Sequence, residues 1–483
     1  MRVLLATSEV APFSKTGGLA DVTGKLPLEL ARLGVEIKIV TPLHRSVRDG
    51  KFGLEKLKES VKVKMGSHAF RNTVFRKTIA PGLSVYFIRH DPFYDRGQLY
   101  GTSKGDYPDN AERYIFLNRA ALSLCEQIGF TPDIIHCHDW QTGLIPAALK
   151  SPQGNHPSFR HTRSVFTIHN LAYQGAFSPE YLPLSGLPQE FYSMEGMEFY
   201  GRMNFLKSGI VYADKVTTVS PRYAEEILSP EFGYGLDGVL RSRKDGVTGI
   251  LNGVDYSDWD PKTDPHIAAR FMPGDLNGKI ACKQDAAKIF GLTGSRDTPL
   301  IGMITRLADQ KGLDLMVEAV DGIIAEGASL MVLGRGDEKY ERLLLGIARR
   351  HPGRIGVKIA FDPVLSHKIE AGADLFLMPS LYEPCGLNQM YSLKYGTIPI
   401  VRATGGLDDT VQHFDRLSGE GTGFKFAEYC SSALLEAVRE AVSVYADKNP
   451  WSRLIRNAMQ ADFSWRKTAP AYIRLYQDLA SGE

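Results

Sequence analysis

The sequence is poor in cysteine and has no long apolar run. Its five cysteines are scattered over 483 residues without a CxxC pair, which argues against a disulfide framework and fits a reducing compartment. No segment approaches the roughly 18 consecutive apolar residues of a membrane helix, and the N-terminal apolar stretch is too short for a signal peptide. We therefore expect no membrane partner and a chain that acts in the cytoplasm.

The sequence also carries little net charge. Lys and Arg number 57 against 55 Asp and Glu, a formal net charge of +2, so electrostatics give no reason to expect nucleic acid as a partner. No GxxxxGK[ST] phosphate-binding loop occurs. The composition, 43% hydrophobic and 23% charged, is typical of a globular enzyme. The length is about three times that of an average domain, so more than one core is expected.

Strand-like and helix-like runs alternate along both halves of the chain. In the first half, "RVLLATSEV" reads as a strand, "LADVTGKLPLELARLG" as a helix and "VEIKIVTP" as a strand. The alternation begins again after the Asn252-Gly253 turn, at "PLIGMITRL". Repeated βα units with apolar strands predict parallel sheets covered on both faces. The predicted fold class is α/β, with two doubly wound domains, 1–246 and 247–460, that face a cleft.

The ends of the predicted strands hold the candidate site residues, because ligands bind beyond the carboxyl ends of strands in such sheets. Lys15 comes first, followed by Gly17 and Gly18 at the start of a helix. Glycines allow close approach to the backbone, and the free N–H groups of a helix start favour an anion. A helix-start turn with a solvated lysine is the alternative, and this stretch alone does not decide between them. The motif "TGGLAD" recurs as "TGGLDD" at 404–409, which indicates similar helix entrances in both halves.

The second half has a basic pair at one strand-to-helix junction. Arg306 ends a predicted strand and Lys311 precedes a helix. Two cations at one junction suit a diphosphate, although ordinary surface charges are the alternative. Glu383, in "PSLYEPCGLNQM", follows another strand beside Gly386 and Leu387. A carboxylate next to an anion site indicates hydrogen bonds to hydroxyls, as on a sugar or ribose; the alternative is a helix-capping acid.

Two further polar residues end strands of the first half. Asp139 follows "DIIHCH" and His169 follows "SVFTI". They are predicted to form either an acid/base pair or two groups that hold sugar hydroxyls, and a histidine with an ordinary core role is the alternative. The cluster from His136 to Asp139 also raises a metal site, but strand alternation puts His136 and His138 on one face without Cys137. Cations for a diphosphate and polar groups for hydroxyls together indicate a nucleotide-sugar substrate.

Seven segments resemble those of one enzyme family. These are "KTGGLADV", "HCHDWQTGL", "FTIHNLAYQG", "LNGVDY", "RLADQKGLDL", "EPCGLNQMYSLKYGTIPIVRATGGL" and "FSWRKTAPAYIRLY". They are similar to the bacterial glycogen synthases and plant starch synthases that use ADP-glucose, and they span nearly the whole chain in order. The resemblance implies the GT-B fold and transfer of glucose from ADP-glucose to the non-reducing 4-hydroxyl of glycogen or another α-1,4-glucan. It further implies retention of the anomeric configuration, and it implies neither a cofactor nor a metal.

The resemblance also implies roles for individual residues. Those expected to bind the donor or line the sugar pocket without carrying the chemistry are Lys15, Gly18, Asp21, Asn252, Gly386 and Leu387. Those expected to act in the reaction are Arg306, Lys311, Glu383, His169 and Asp139. Arg306 and Lys311 would neutralise the departing diphosphate, and the leaving phosphate would take the acceptor's proton in a front-face attack. The last segment, 461–483, is expected to return to the first domain.

Two positions depart from the wider GT-B pattern. Tyr391 stands where a second glutamate often binds the ribose, and Phe361 stands where many relatives have a tyrosine that stacks on the base. Two other functions stay open at this stage: a nucleotide-sugar isomerase of the same fold, and a glucan-binding protein without catalytic activity. The intact set of charged residues argues against the second function: Lys15, Arg306, Lys311 and Glu383.

Overall fold

The computed structural model describes residues 1–102 and 104–481. The chain divides into two compact units, one formed by Met1–Gly253 with the C-terminal segment from Trp465, the other by Val254–Ser464. None of the helices in the described residues combines the length and apolar character that crossing a bilayer requires.

The first unit is built on a nine-stranded sheet. Its strands, in chain order, are β1 (Arg2–Ala6), β2 (Glu36–Pro42), β3 (Glu55–Lys56), β4 (Val74–Ala80), β5 (Leu83–Ile88), β6 (Ile134–His138), β7 (Arg163–Ile168), β8 (Lys215–Thr218) and β9 (Val247–Gly249). The spatial order is β9-β8-β7-β6-β1-β2-β5-β4-β3. The strands from β9 to β5 are parallel, whereas β4 and β3 pair antiparallel. The short antiparallel edge was not predicted, because its half-exposed strands lack the apolar runs of the parallel ones.

Helices connect and cover this sheet. They are α1 (Gly18–Arg32), α2 (Arg45–Asp49), α3 (Asp91–Tyr94), α4 (Asn110–Ile128), α5 (Leu144–Leu149), α6 (Leu182–Ser185), α7 (Phe205–Tyr212), α8 (Pro221–Glu226) and α9 (Asp237–Arg241). Three small antiparallel pairings also occur, at 61–72, 101–106 and 176–204. Strand β9 pairs with β8, so residues 247–249 belong to the first unit. The expected boundary after residue 246 therefore lies too early in the chain.

The second unit has a six-stranded sheet that is parallel throughout. Its strands are β10 (Leu300–Leu307), β11 (Ser329–Gly336), β12 (Ile355–Ile359), β13 (Leu375–Met378), β14 (Ile398–Arg402) and β15 (Phe424–Phe426). The spatial order is β12-β11-β10-β13-β14-β15. Its helices are α10 (Asn277–Ile289), α11 (Leu313–Ala325), α12 (Glu338–Arg350), α13 (Pro363–Gly372), α14 (Asn388–Lys394), α15 (Gly405–Thr410), α16 (Ser431–Ala446) and α17 (Lys448–Gln460).

The last helix, α18 (Trp465–Ser481), belongs to the core of the first unit. Trp465, Tyr472 and Tyr476 are buried there beside β1, and the Tyr476 hydroxyl lies 2.7 Å from His136 Nδ1. The helix therefore joins the start and the end of the chain in one core.

Each sheet has a point where the strand order reverses. In the first unit β1 has β2 on one side and β6 on the other, and in the second β10 has β11 on one side and β13 on the other. Loops that leave two such strands diverge, and ligands of open α/β sheets bind in the crevice between them. These two switch points direct attention to the loops after β1, β6, β10 and β13.

Candidate active site

The loop after β1 is built over a buried carboxylate. Glu9 is only 3% exposed and accepts hydrogen bonds from the Thr16 hydroxyl, at 2.8 Å, and the Tyr100 hydroxyl, at 2.6 Å. It also accepts the backbone N–H of Thr16. Burial raises the pKa of Glu9, and the hydrogen bonds from Tyr100 and Thr16 oppose that rise. This carboxylate fixes the shape of the glycine-rich turn above it.

Lys15 lies on the exposed side of the same turn. Its ammonium forms an ion pair with Asp21 in the first turn of α1, with Nζ 2.6 Å from Oδ1. The helix begins at Gly18 after an extended Gly17, and no side chain caps its first N–H groups. The turn thus brings together Lys15, Gly18 and Asp21, and it presents a cation beside the positive end of a helix.

Asp139 has a strained backbone at the end of β6. Its φ is +57° and its ψ is −178°, a combination that residues other than glycine seldom adopt. The carboxylate accepts the backbone N–H of His169, at 2.7 Å, and that of Asn170. The Asp139 carboxylate does not bond the His169 imidazole, so the acid/base pair expected from the sequence is not formed as a side-chain dyad. The register of β6 against β7 brings the carboxylate to the backbone instead.

The imidazole of His169 pairs with another histidine. His169 Nε2 lies 2.9 Å from His138 Nδ1, while His138 Nε2 is buried and has no partner in the described residues. Burial lowers the pKa of both rings, so both are neutral at pH 7. An orphan N–H costs more than an orphan lone pair, so we assign the His138 proton to Nδ1. His169 then accepts at Nε2 and carries its own proton at Nδ1, where it offers a donor from a half-buried ring.

His136 is fully committed to the protein core. Its Nδ1 contacts the Tyr476 hydroxyl and its Nε2 lies 2.6 Å from the Thr167 hydroxyl. Both ring nitrogens are therefore occupied, which removes the basis for the metal site considered from the sequence. No group of three or more metal-ligating side chains is found in 1–102 and 104–481.

The ionisation of Asp139 leads to a prediction for stability. Burial raises its pKa from the ordinary 3.8 to about 7. The folded protein then retains a proton that the unfolded chain releases, so stability from this group is full below pH 3.8 and is lost as the pH rises towards 7. Asp139→Asn removes this dependence while its amide oxygen still accepts the His169 N–H. Relative to wild type, the variant should therefore be more stable at pH 8 than at pH 5, by roughly 3 kcal/mol.

Urea unfolding of both proteins at the two pH values measures this difference. A gap between wild type and variant that is equal at pH 5 and pH 8 would contradict the assigned pKa.

Asn252 is the residue before Gly253, where the N-terminal segment of the first unit ends. Its side chain is 5% exposed, and its Oδ1 is buried without a partner among the described residues. An amide in this state has an acceptor available for a ligand hydroxyl or amine.

In the second unit, Lys311 and Glu383 meet at the switch point. Lys311 Nζ lies 2.6 Å from Glu383 Oε2, which also accepts the Ser380 hydroxyl at 3.0 Å. Glu383 Oε1 has no hydrogen-bond partner among the described residues. Lys311 directly precedes Gly312, whose φ is +63° and where an added Cβ would lie 1.9 Å from the Pro379 carbonyl oxygen. The loops after β10 and β13 are thus in direct backbone contact.

Arg306 lies beside this pair and is much less constrained. It is exposed near the end of β10, and its guanidinium contacts Gln310 Oε1 at 3.3 Å. Gln310 in turn donates to the Tyr382 carbonyl, next to Glu383. Most of the guanidinium N–H groups have no partner in the described part of the chain, which leaves them for an anion.

The second glycine-rich motif supports the Glu383 loop from behind. The Gly406 N–H donates to the Glu383 carbonyl at 3.1 Å. Gly386 has a φ of +72°, and Leu387 then precedes the first residue of α14. Each of the two related motifs therefore contacts a buried glutamate, Glu9 in the first unit and Glu383 in the second.

The two departures noted in the sequence have different environments. Tyr391 is stacked on Trp259, with ring centroids 4.1 Å apart, and Trp259 stacks on His367 from its other face. Tyr391 is therefore part of the core of its unit. Phe361 is 80% exposed after β12, so its ring faces solvent.

The structure thus groups most of the predicted residues in three sets. Lys15, Gly18 and Asp21 are joined in one turn, Asp139 and His169 in another, and Arg306, Lys311 and Glu383 in the loops of the second unit. Glu9 and Ser380 were missed. Glu9 lies three residues after β1, so its place near a strand end was the available signal. Ser380 gave none beyond its place two residues after β13.

Two family models match the chain. One described as "Starch synthase catalytic domain" matches residues 2–242, and one described as "Glycosyl transferases group 1" matches residues 286–460. Among curated proteins, a glycogen synthase of Koribacter versatilis is 48% identical over 99% of this chain and 98% of its own length. A glycogen synthase of Anaeromyxobacter dehalogenans is 49% identical over 99% of this chain and all of its own length.

Solved structures give the same family and the wider fold. The catalytic domain of Starch Synthase IV from Arabidopsis thaliana, bound to ADP and acarbose, matches with a TM-score of 0.91 and 35% identity over 99% of both chains. A sucrose-phosphate synthase from Thermosynechococcus elongatus matches with a TM-score of 0.61 at 17% identity over the full length of both chains, a likeness of fold alone.

Proposed function

Because the chain belongs to the glycogen and starch synthase family of glycosyltransferases, we propose that it transfers glucose from ADP-glucose to the non-reducing end of an α-1,4-glucan with retention of configuration. The observation that carries the proposal is the second-unit site, where Arg306 and Lys311 lie at the switch point beside Glu383. ADP is the proposed nucleotide because the similar starch synthase binds ADP together with acarbose. The exposed Phe361 ring is the proposed surface for stacking the base.

The reaction needs charge stabilisation more than it needs a nucleophile. A glucosyl diphosphate already carries a good leaving group, and cations that are held in place stabilise its developing charge. Lys311 uses one ammonium proton on Glu383 and keeps two for phosphate oxygens. Arg306 adds a planar fork that suits a diphosphate.

Glu383 is proposed to hold the transferred glucose. Its Oε2 is fixed by Lys311 and Ser380, and Oε1 remains for sugar hydroxyls. The His169 Nδ1–H and the Asp139 carboxyl are proposed to bind the sugar as well. Two backbone N–H groups fix the Asp139 carboxyl in place, so its proposed role is to bind the sugar and not to act as a nucleophile. The leaving phosphate is proposed to take the acceptor's proton.

The direct test is an incubation of purified protein with glycogen and either ADP-glucose or UDP-glucose. Release of nucleoside diphosphate and growth of the glucan are followed together. The proposal expects both with ADP-glucose, at a clearly higher rate than with UDP-glucose. Diphosphate release without glucan growth would overturn it and favour a hydrolase. Conversion of the donor with neither diphosphate release nor glucan growth would favour the nucleotide-sugar isomerase. A cytoplasmic site of action is also proposed, since all five cysteines are free thiols.

Lys15 is predicted to act on donor binding. Lys15→Ala should raise the KM for ADP-glucose by roughly tenfold, with a smaller effect on kcat, because it removes one charge from the helix start. Lys150→Ala is a matched control, since Lys150 forms an ion pair of the same length, 2.6 Å, with Asp214. Steady-state kinetics over a range of donor concentrations separates the two effects. An unchanged KM in the Lys15 variant would remove this residue from the donor site.

A further inference from the structure

Two tyrosines of the first unit occupy backbone conformations that tyrosine seldom adopts. In the described residues 1–102 and 104–481, three non-glycine residues have positive φ: Asp139, Tyr200 and Tyr234. Asp139 belongs to the site already described. The two tyrosines have the same φ, +48°, and each is followed by a glycine whose φ is also positive.

Both tyrosines are the first central residue of a tight turn. Tyr200 and Gly201 connect the paired residues Phe199 and Arg202, and the N–H of Leu236 closes the turn at Tyr234 by donating to the Gly233 carbonyl at 2.7 Å. Two successive residues with positive φ define the type I′ turn, which favours Asn or Gly at its first central position. Tyrosine there is strained.

Neither tyrosine is fully buried. Tyr200 is 84% exposed, with its ring edge-on to Phe199 at 4.6 Å between centroids, and Tyr234 is 41% exposed. Strain that persists at residues with solvent-facing rings indicates a functional constraint.

The two turns form one surface, which we call the tyrosine-turn surface. A Cβ added to Gly235 would lie 3.0 Å from Phe199 Cζ and 3.9 Å from Tyr200 Cε2, so the second turn packs against the first. Gln174 contacts both turn regions. Its Nε2 donates to the Tyr234 carbonyl, and its Oε1 accepts the side-chain amide of Asn204 at 2.7 Å, on the strand that follows the Tyr200 turn.

This surface is continuous with the first-unit site. Gln174 lies on the loop that begins at His169 after β7. The next residue, Gly175, packs against the Trp140 ring, and Trp140 directly follows Asp139. The tyrosine-turn surface is therefore held by the same loops that carry Asp139 and His169.

We propose that the tyrosine-turn surface binds the acceptor glucan, with the rings of Tyr200 and Tyr234 stacked on glucose units of the α-1,4-linked chain. The inference rests on the proposed function. Glucose has apolar C–H faces and a rim of hydroxyls, and an exposed phenol combines an apolar face with a polar tip.

The test replaces the rings without disturbing the turns. The double variant Tyr200→Asn/Tyr234→Asn puts at both positions a residue that tolerates positive φ, so its melting temperature should equal or exceed that of wild type. Affinity electrophoresis through gels that contain glycogen, without donor, gives the glucan affinity. Each ring contributes roughly threefold to tenfold, so the double variant should bind at least tenfold more weakly. Leu417→Asn, at a residue that is 98% exposed in the second unit, is the control.

Kinetic measurements separate this inference from the proposed function. With ADP-glucose, the double variant should show a raised KM for glycogen and an unchanged KM for the donor. Equal glucan affinity in wild type and double variant, with wild-type transfer intact, would overturn the tyrosine-turn surface and leave the proposed function standing. A change in oligomeric state with unchanged glucan affinity, measured by gel filtration, would also overturn it. Absence of transfer by wild type would instead count against the proposed function.

Discussion

Replacement of Lys311 by alanine should lower kcat at least about a hundredfold, as loss of one preorganised charge-stabilising donor commonly does. The ammonium lies 2.6 Å from Glu383 Oε2 and next to the loop that follows β10. Its removal takes away the proposed phosphate contact, which would strengthen as the glycosidic bond breaks. It also releases the carboxylate that is proposed to hold the glucose.

The Lys311 variant has a second effect that must be measured separately. Glu383 is only 6% exposed, so loss of its partner leaves a buried charge and destabilises the fold. Lys311→Met/Glu383→Gln removes both charges and should restore stability without restoring turnover. Lys339→Ala is the control, because Lys339 pairs with Asp309 in the same loop region but is exposed. If the Lys311 variant is folded and turns over at the wild-type rate, the proposed role of this residue is wrong.

The ends of the parallel strands could be predicted from sequence because their signals are local. Near-continuous apolar runs identify buried strands, and the polar residue that follows each run lies at the carboxyl edge of the sheet. This logic identified Lys15, Asp139, His169, Arg306 and Glu383. It also located the first glycine-rich turn, whose helix begins at Gly18.

Pairings between side chains could not be predicted in the same way, because they depend on register and on side-chain direction. The sequence suggested an Asp139–His169 pair, yet the carboxylate bonds the backbone and the imidazole bonds His138. Glu9 is an acid a few residues after an apolar run, and only the fold reveals that it is buried and bonded by Thr16 and Tyr100. The +48° φ of Tyr200 likewise contradicts its local preference, so no propensity argument finds it.

Replacement of Arg306 by alanine should also lower kcat at least about a hundredfold, but with no loss of stability. The side chain is exposed, and its one contact, to Gln310 at 3.3 Å, is of the kind that adds little to the free energy of unfolding. Turnover and stability are therefore expected to separate at this position, whereas both fall in the Lys311 variant. Arg306→Lys should recover part of the activity, because it keeps the charge and loses the planar fork.

The chain contains a close control for Arg306. Arg335 lies directly opposite Arg306 in the register of β10 and β11, is also exposed, and is one strand farther from the switch point. If the reaction needs a cation at the switch point itself, Arg335→Ala should change kcat by less than about threefold, because an exposed charge that does not contact the reacting groups contributes little. Equal losses at both positions would mean that the edge of the sheet only attracts the anionic donor through its overall positive potential. A full effect at Arg306 alone would identify the point where the strand order reverses as the place where the diphosphate departs.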